Sequence, residues 1–265
     1  MSTLLQISDP HFGTEQPTVV EALVALAQQQ RPDLLVLSGD ITQRARPAQF
    51  RAARAFVDRL GLPVLAIPGN HDIPLFDVWT RLCYPHTQQI AVFGSDLEPV
   101  HSSADMMVVC VNTTRRWRHK NGEVSARQID RVAHAFAGAG AAQLRVVVVH
   151  QPVAVTRPED VTNLLRGHAT ALQRWSAAGV DLVLGGHIHL PYVMPVRGLA
   201  RPIWAVQAGT AISSRVRQGA PNSVNLLRWG KGASPGCCRI EQWDFSAADQ
   251  AFALASVTEV QPSRL

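Results

Sequence analysis

The sequence predicts an α/β protein, and three observations carry that expectation. Short apolar runs alternate regularly with amphipathic stretches in the N-terminal part of the chain. Each of these runs ends in a turn that carries Asp, Asn or Gly. After the last helical pattern, short apolar runs follow one another with only turn residues between them. Strand–helix–strand alternation implies parallel pairing with right-handed crossovers, and the later runs predict a second sheet built largely of antiparallel strands.

Taken in order, residues 3–8 form a first strand ending at Asp9. Val20, Leu23, Val24 and Ala27 then fall at i, i+3, i+4 and i+7, one apolar face of a helix that Pro32 stops. Residues 33–37 are the second strand, closing on Ser38-Gly39-Asp40, and Ala53, Phe56, Val57 and Leu60 mark the next helix. The third strand, residues 62–67, opens onto Pro68-Gly69-Asn70-His71-Asp72, where Gly lets the chain bend sharply. Residues 74–114 are irregular, with strand-like pieces at 89–93 and 106–111, and residues 115–122 are a polar, basic loop. Ser125 and Gln128 form a capping box that opens a helix with Ile129, Val132, Ala133 and Phe136 on one face. A strand at 144–149 ends at His150, a helix covers about 167–178, and a strand at 180–184 leads into Gly185-Gly186-His187-Ile188-His189. Short strands are expected at 192–196, 203–206, 223–227 and 239–245. With no repeat or linker in view, residues 1–257 read as one domain and 258–265 as a C-terminal tail.

Composition narrows the function classes. At 265 residues, 46% hydrophobic and 17% charged, the chain can build a sizeable core and is not disordered. No apolar run reaches the roughly 18–20 residues that span a bilayer. The N-terminus enters a strand without a basic n-region or cleavage site, so a cytoplasmic protein with no membrane partner is expected. The cysteines, Cys83, Cys110, Cys237 and Cys238, form no Cys-x-x-Cys pair, so neither a zinc ribbon nor a disulfide framework is visible and buried or inert thiols are expected. The formal charge of +5 suits an anionic substrate, and no nucleic-acid-binding module is evident.

The chemistry sits at the strand ends: Asp9 and His11, Asp40, Asn70, His150, then His187 and His189. Imidazole and oxygen donors without thiolate suit Mn, Fe, Zn or Ni. Seven donors exceed one tetrahedral site and fit two metals that share a bridging carboxylate. The Asp-x-His and His-x-His spacings put each pair on one side of an extended segment. Any one of these residues is commonplace, Asp as a turn former and His as a satisfied polar group. Their conjunction in order is not.

D-P-H at 9–11, G-D at 39–40, G-N-H-D at 69–72, the His at 150 and G-H-I-H at 186–189 resemble the calcineurin-like metallophosphoesterase superfamily. I-S-D-P-H-F at 7–12, N-L-L-R-G at 163–167, A-G-T-A at 208–211 and N-S-V-N at 222–225 bring it nearest to bacterial class III cyclic-nucleotide phosphodiesterases and glycerophosphodiesterases. The resemblance implies a four-layer α/β/β/α sandwich with two mixed β-sheets and two transition-metal ions. Manganese or iron is expected first, with zinc, nickel and cobalt as further options. One ion would take Asp9, His11 and His189, the other Asn70, His150 and His187, with Asp40 bridging both. His71 would act near the phosphoryl group and Asp72 would hydrogen-bond it, so these two are the expected catalytic residues. Where many relatives carry His-His-Pro, this chain has His150-Gln151-Pro152, a departure expected to alter substrate contacts.

The activity implied is hydrolysis of small organic phosphodiesters, cyclic nucleotides among them, by metal-activated hydroxide. A phosphomonoesterase or nucleotide-linked pyrophosphatase fits the same donors, and a non-catalytic scaffold on this fold is the alternative of a different class. A monomer or homodimer is expected. The loop 115–120 reads as solvated, with an arginine contact to substrate phosphate as the alternative. His168 reads as a helix-face residue, and His86, His101, His119 and His134 belong to no pattern.

Overall fold

The computed structural model of the chain describes residues 2–230 and 236–263. Three parallel strands, β1 (Ser2–Ile7), β2 (Leu34–Leu37) and β3 (Val64–Ala66), are joined by α1 (Pro17–Gln30) and α2 (Pro47–Leu60). The other edge of β1 pairs antiparallel with β10 (Ser223–Trp229), which continues through β11 (Cys238–Ser246) to β12 (Ala251–Val260). The second sheet has four parallel strands at its centre, β5 (Met106–Cys110), β6 (Leu144–Val148), β7 (Leu182–Gly185) and β9 (Ile203–Gln207). Antiparallel edges close it, β4 (Val100–Ser102) beside β5 and β8 (Tyr192–Val196) beside β9.

Both sheets are therefore mixed, with six strands each. The expected segregation of the late antiparallel strands into one second sheet is wrong. Those strands divide, β8 going to the second sheet and β10, β11 and β12 to the first. Period-two patterning reports which face a strand buries but not which sheet it joins.

The layers follow from alternating side chains. Leu4, Val36, Leu65, Val108, Val146 and Leu184 fill the space between the sheets. On the opposite face of the first sheet, Leu5, Ile7, Leu35 and Leu37 meet Val20 and Leu23 of α1 and Ala53, Phe56 and Val57 of α2. Val109, Val147 and Val183 of the second sheet meet Ile129, Val132 and Phe136 of α5 (Ala126–Ala137) and Leu172 and Trp175 of α6 (His168–Ala177). The order is helix, sheet, sheet, helix. Strands buried on both faces explain why their sequences read as continuous apolar runs.

Several local expectations need correction. Residues 89–93 lie in a helix, α4 (Thr87–Phe93), not a strand. Gln89 is buried and Phe93, one turn on, packs against the α1–α2 core, while Ile90 is exposed, so the face has helical period. A short α3 (Val78–Cys83) precedes it, and Cys83 is exposed rather than buried. The strand β12 is absent from the sequence reading because only Phe252 and Val260 of it are buried. It carries the chain three residues into the expected tail: Thr258, Glu259 and Val260 pair with Ile240, Arg239 and Cys238. Residues 264–265 of that tail lie outside the described residues. The capping box of α5 forms as expected, with Ser125 Oγ accepting from Gln128 N and Gln128 Oε1 accepting from Ser125 N at 3.0 Å. Among the described residues no helix is long and apolar enough to cross a membrane.

Candidate metal centre

The C-terminal ends of β1, β2 and β3 meet those of β6 and β7 where the two sheets face each other. Asp9 N donates to Gly39 O at 3.1 Å and His11 N to Asp40 O at 3.1 Å, which ties the first two strand ends together. Gly186 N donates to His150 O at 2.8 Å, which joins the ends of β6 and β7. Across the sheets, His187 N donates to Asp9 Oδ2 at 2.9 Å and Gln6 Nε2 to Gly185 O at 2.9 Å.

The backbone there is unusual. Asp9, His11, Asp40, His187 and His189 all have positive φ, between 44° and 74°. Non-glycine residues in this left-handed region cost about 1–2 kcal/mol each, and such residues cluster at functional sites. The extended-segment explanation of the Asp-x-His and His-x-His spacings is thus corrected, because these pairs sit in tight turns. His187 and His189 also diverge toward different groups of donors.

Three donor groups form, and Asp40 belongs to two of them. Asp9, His11 and His189 make one, Asp40, His150 and His187 a second, and His11, Asp40 and His71 a third. His189 Nε2 lies 3.3 Å from Asp9 Oδ1, and His11 Nε2 lies 3.1 Å from His189 Nε2. Asp40 Oδ1 is 3.3 Å from His150 Nε2, and its Oδ2 is 3.8 Å from His11 Nε2. Asn70 lines the same cavity as Asp40 and His187. All seven residues expected from the sequence are therefore brought together.

Their lone pairs lack partners. Asp9 Oδ1, Asn70 Oδ1, His150 Nε2 and both ring nitrogens of His187 are buried and accept or donate no hydrogen bond. Buried polar atoms are ordinarily paired, so five orphans at one sheet edge fit a cation. Backbone carbonyls set the tautomers. Ser38 O lies 2.9 Å from His150 Nδ1, Arg215 O 2.6 Å from His189 Nδ1 and Gln43 O 3.0 Å from His71 Nδ1. A carbonyl only accepts, so each Nδ1 carries a hydrogen and each Nε2 is the ring atom turned toward the site.

Charge reinforces this. Burial opposes ionisation of Asp9 and Asp40, yet His189 beside Asp9 and His150 beside Asp40 hold both carboxyls below the usual range. Burial lowers His11 and His187 to about 3, which keeps them neutral and able to ligate. Against the cost of burial, Asp40 raises His150 to about 9, so loading a metal there displaces a proton.

Asp72 is not the partner of His71. Its carboxylate accepts from Ile41 N at 2.9 Å, Thr42 N at 2.7 Å, Thr42 Oγ1 at 2.9 Å and Gly69 N at 2.9 Å. Burial and then the charge of Asp40 push its carboxyl up to about 7, against those donors. Asp72 clips the turn after β3 to the turn after β2, and it does not itself line the cavity. Within that clip, His71 N donates to Asp40 Oδ1 at 2.8 Å. Gly69 is required by contact: a Cβ there would sit 2.1 Å from Asp40 N and 2.2 Å from Asp40 Oδ1. We expect Gly69→Ala to displace Asp40 and weaken metal retention about 10–100-fold, read by elemental analysis after dialysis. Unchanged metal content would refute this role for Gly69.

The arginines of the basic loop do not reach the site. Arg115 donates to Asn112 O, Thr114 O and Gln128 Oε1, Arg116 to Leu82 O, and Arg118 pairs with Glu123. His119 and Lys120 do line the cavity, which has a volume of about 600 Å³. Gln151 does not line the cavity, so it would alter substrate contacts through the loop it holds. It is buried, with Oε1 accepting from Thr113 Oγ1 at 2.6 Å and Nε2 facing Lys120 O at 3.4 Å, and Gly122 packs directly on its amide. It anchors the loop that carries His119 and Lys120. Gln151→Ala is expected to raise KM severalfold while metal content stays constant. Loss of metal instead would place Gln151 in the support of His150.

Arg215 and Gln43 are among the site residues that were not legible in advance. Arg215 lines the cavity, and Gln43 supplies the carbonyl for His71. The only hint for Arg215 was its position just after A-G-T-A at 208–211. His168, at the start of α6, bonds Leu165 O and does not line this cavity.

Residues 2–191 match the sequence profile of the calcineurin-like phosphoesterases. The "probable cyclic nucleotide phosphodiesterase" of a Synechococcus species is 27% identical over 207 residues, 74% of this chain and 76% of that protein. A glycerophosphodiester phosphodiesterase of Enterobacter lignolyticus is 38% identical over 82 residues, 26% of this chain and 29% of that one. In structure, a dimetal phosphatase from Danio rerio superposes with a TM-score of 0.69 at 14% identity, covering 99% of each chain. At that identity the likeness speaks to the fold.

Proposed function

The chain belongs to the calcineurin-like phosphoesterase family and is a metal-dependent phosphoester hydrolase, and we propose that it is a two-metal phosphodiesterase of small organic phosphodiesters, cyclic nucleotides among them. The observation that carries this reading is two three-donor groups, Asp9/His11/His189 and Asp40/His150/His187, with Asp40 Oδ2 3.8 Å from His11 Nε2 of the first, and orphaned buried polar atoms on Asp9, Asn70, His150 and His187. Asp9, His11 and His189 would hold one ion and Asn70, His150 and His187 the other, with Asp40 shared. The donor set, nitrogen and carboxylate or amide oxygen without thiolate, favours manganese or iron. The four free cysteines suit a reducing compartment, so we place the protein in the cytoplasm.

Bound there, the ions would supply Lewis acidity at phosphorus and a hydroxide nucleophile at neutral pH. The protein's own contribution is orientation and proton handling. Ser38 O and Arg215 O fix the rings of His150 and His189, and Ser8 Oγ and His187 N occupy Asp9 Oδ2 so that Oδ1 remains free. His71 Nε2 is the side-chain atom beside the donors that can hold a proton for a leaving alkoxide.

The test is purification, metal analysis and reloading with manganese or iron, followed by assay on a panel. The panel contains bis(p-nitrophenyl) phosphate, its monoester, 2′,3′- and 3′,5′-cyclic nucleotides and glycerophosphodiesters. Turnover of diesters above the monoester is expected. Monoester preference would shift the reading to a phosphomonoesterase, and inactivity on the whole panel would overturn it.

A further inference from the structure

Arg215 is the cation that stands among the metal-site histidines. Its Nη1 lies 3.2 Å from His71 Nε2, 3.0 Å from Gln43 Oε1, and 3.4 and 3.5 Å from the two ring nitrogens of His11. Its backbone is pinned on both sides: the carbonyl accepts from His189 Nδ1 at 2.6 Å and the amide donates to Ser213 Oγ at 2.9 Å. Its guanidinium hydrogen bonds among the described residues all run through Nη1, so Nε and Nη2 are unengaged.

The two other arginines of the cavity are differently placed. Arg217 pairs with Asp160 at 2.9 Å, and Arg44 lies over the ring of Phe76 at 5.7 Å. Arg215 forms no ion pair with a carboxylate among the described residues. That leaves a fixed positive charge and two unengaged donor nitrogens on a planar fork at the cavity wall.

We propose that Arg215 is a catalytic residue that contacts the phosphoryl group: Nε and Nη2 donate to a non-bridging oxygen, while Nη1 holds His71 and Gln43. It forms no covalent bond and moves no proton; it binds the oxygen on which charge develops during attack. In this arrangement Nη1–H occupies the lone pair of His71 Nε2. His71 must therefore exchange that hydrogen bond before it can take up a proton, and Arg215 becomes the donor that faces substrate first. The catalytic part of this proposal rests on the phosphodiesterase reading, whereas phosphate binding does not.

The experiment compares manganese-loaded wild type, Arg215→Met and Arg215→Lys in three readouts. Metal content should be the same in all three. Binding of inorganic phosphate, by calorimetry, should weaken about tenfold or more in Arg215→Met and be partly restored in Arg215→Lys. On the best panel substrate, Arg215→Met should lose about 10²-fold in kcat. Phosphate affinity and kcat within threefold of wild type in Arg215→Met would overturn the proposal. So would equal loss of metal in both variants, which would make Arg215 a support for His189 alone. An inactive wild type whose phosphate binding still depends on Arg215 would sink the phosphodiesterase reading and leave the anion contact standing.

Discussion

Asp40→Ala is expected to empty both halves of the metal centre and abolish turnover. Among the described residues Asp40 is the one carboxylate that belongs to two donor groups, with Oδ1 3.3 Å from His150 and Oδ2 3.8 Å from His11. Its removal also leaves His71 N without the acceptor that fixes the turn after β3. An isolated ligand would cost one ion; a shared one costs both. Elemental analysis of the variant should find metal near zero after dialysis against buffer that leaves wild type loaded. The variant should still fold, because without the carboxylate burial turns His150 neutral and leaves no unpaired buried charge, and circular dichroism checks this. Retention of one full equivalent would show that Asp40 serves a single ion.

The second large effect is expected at His71. His71→Ala should retain both ions and lose about 10²–10⁴-fold in kcat. His71 stands within reach of His11 and Asp40, yet its Nδ1 is spent on Gln43 O and its Nε2 is bonded by Arg215, so its ring is oriented without a metal. Its ring also meets His11 edge-on at 4.8 Å. Loss should be larger for a diester with a basic alkoxide leaving group than for p-nitrophenolate, which needs little protonation. A variant that loses a metal ion equivalent would identify His71 as a ligand, and equal losses for both leaving groups would remove its proton role.

How much of this was legible in the sequence depends on locality. The alternation of β1, α1, β2, α2 and β3 is local, and it was readable from the spacing of Val20, Leu23 and Val24 and from runs such as Leu34–Leu37. Donors at strand ends, Asp9, Asp40, Asn70 and His150, were readable for the same reason. What was not local was lost. Nothing in β10 or β11 says that they pair beside β1 rather than beside β9. Asp72 follows His71 directly and invited an orienting role, but its oxygens turn to backbone amides of residues 41, 42 and 69. Gln151 stands next to a ligand, yet faces Thr113 and the loop instead. Arg215 reaches His11 and His71 from more than a hundred residues away in the chain. Spacing that suggested extended segments corresponds in fact to left-handed turns at Asp9, His11, His187 and His189, a conformation that composition cannot announce.

The most direct test of the two-metal account is a titration of metal-free protein with manganese, followed by electron paramagnetic resonance and by hydrolysis of bis(p-nitrophenyl) phosphate. The account predicts that activity continues to rise through a second equivalent and that a spin-coupled pair signal appears with it. Saturation of both signals at one equivalent, with no coupled pair, would contradict it.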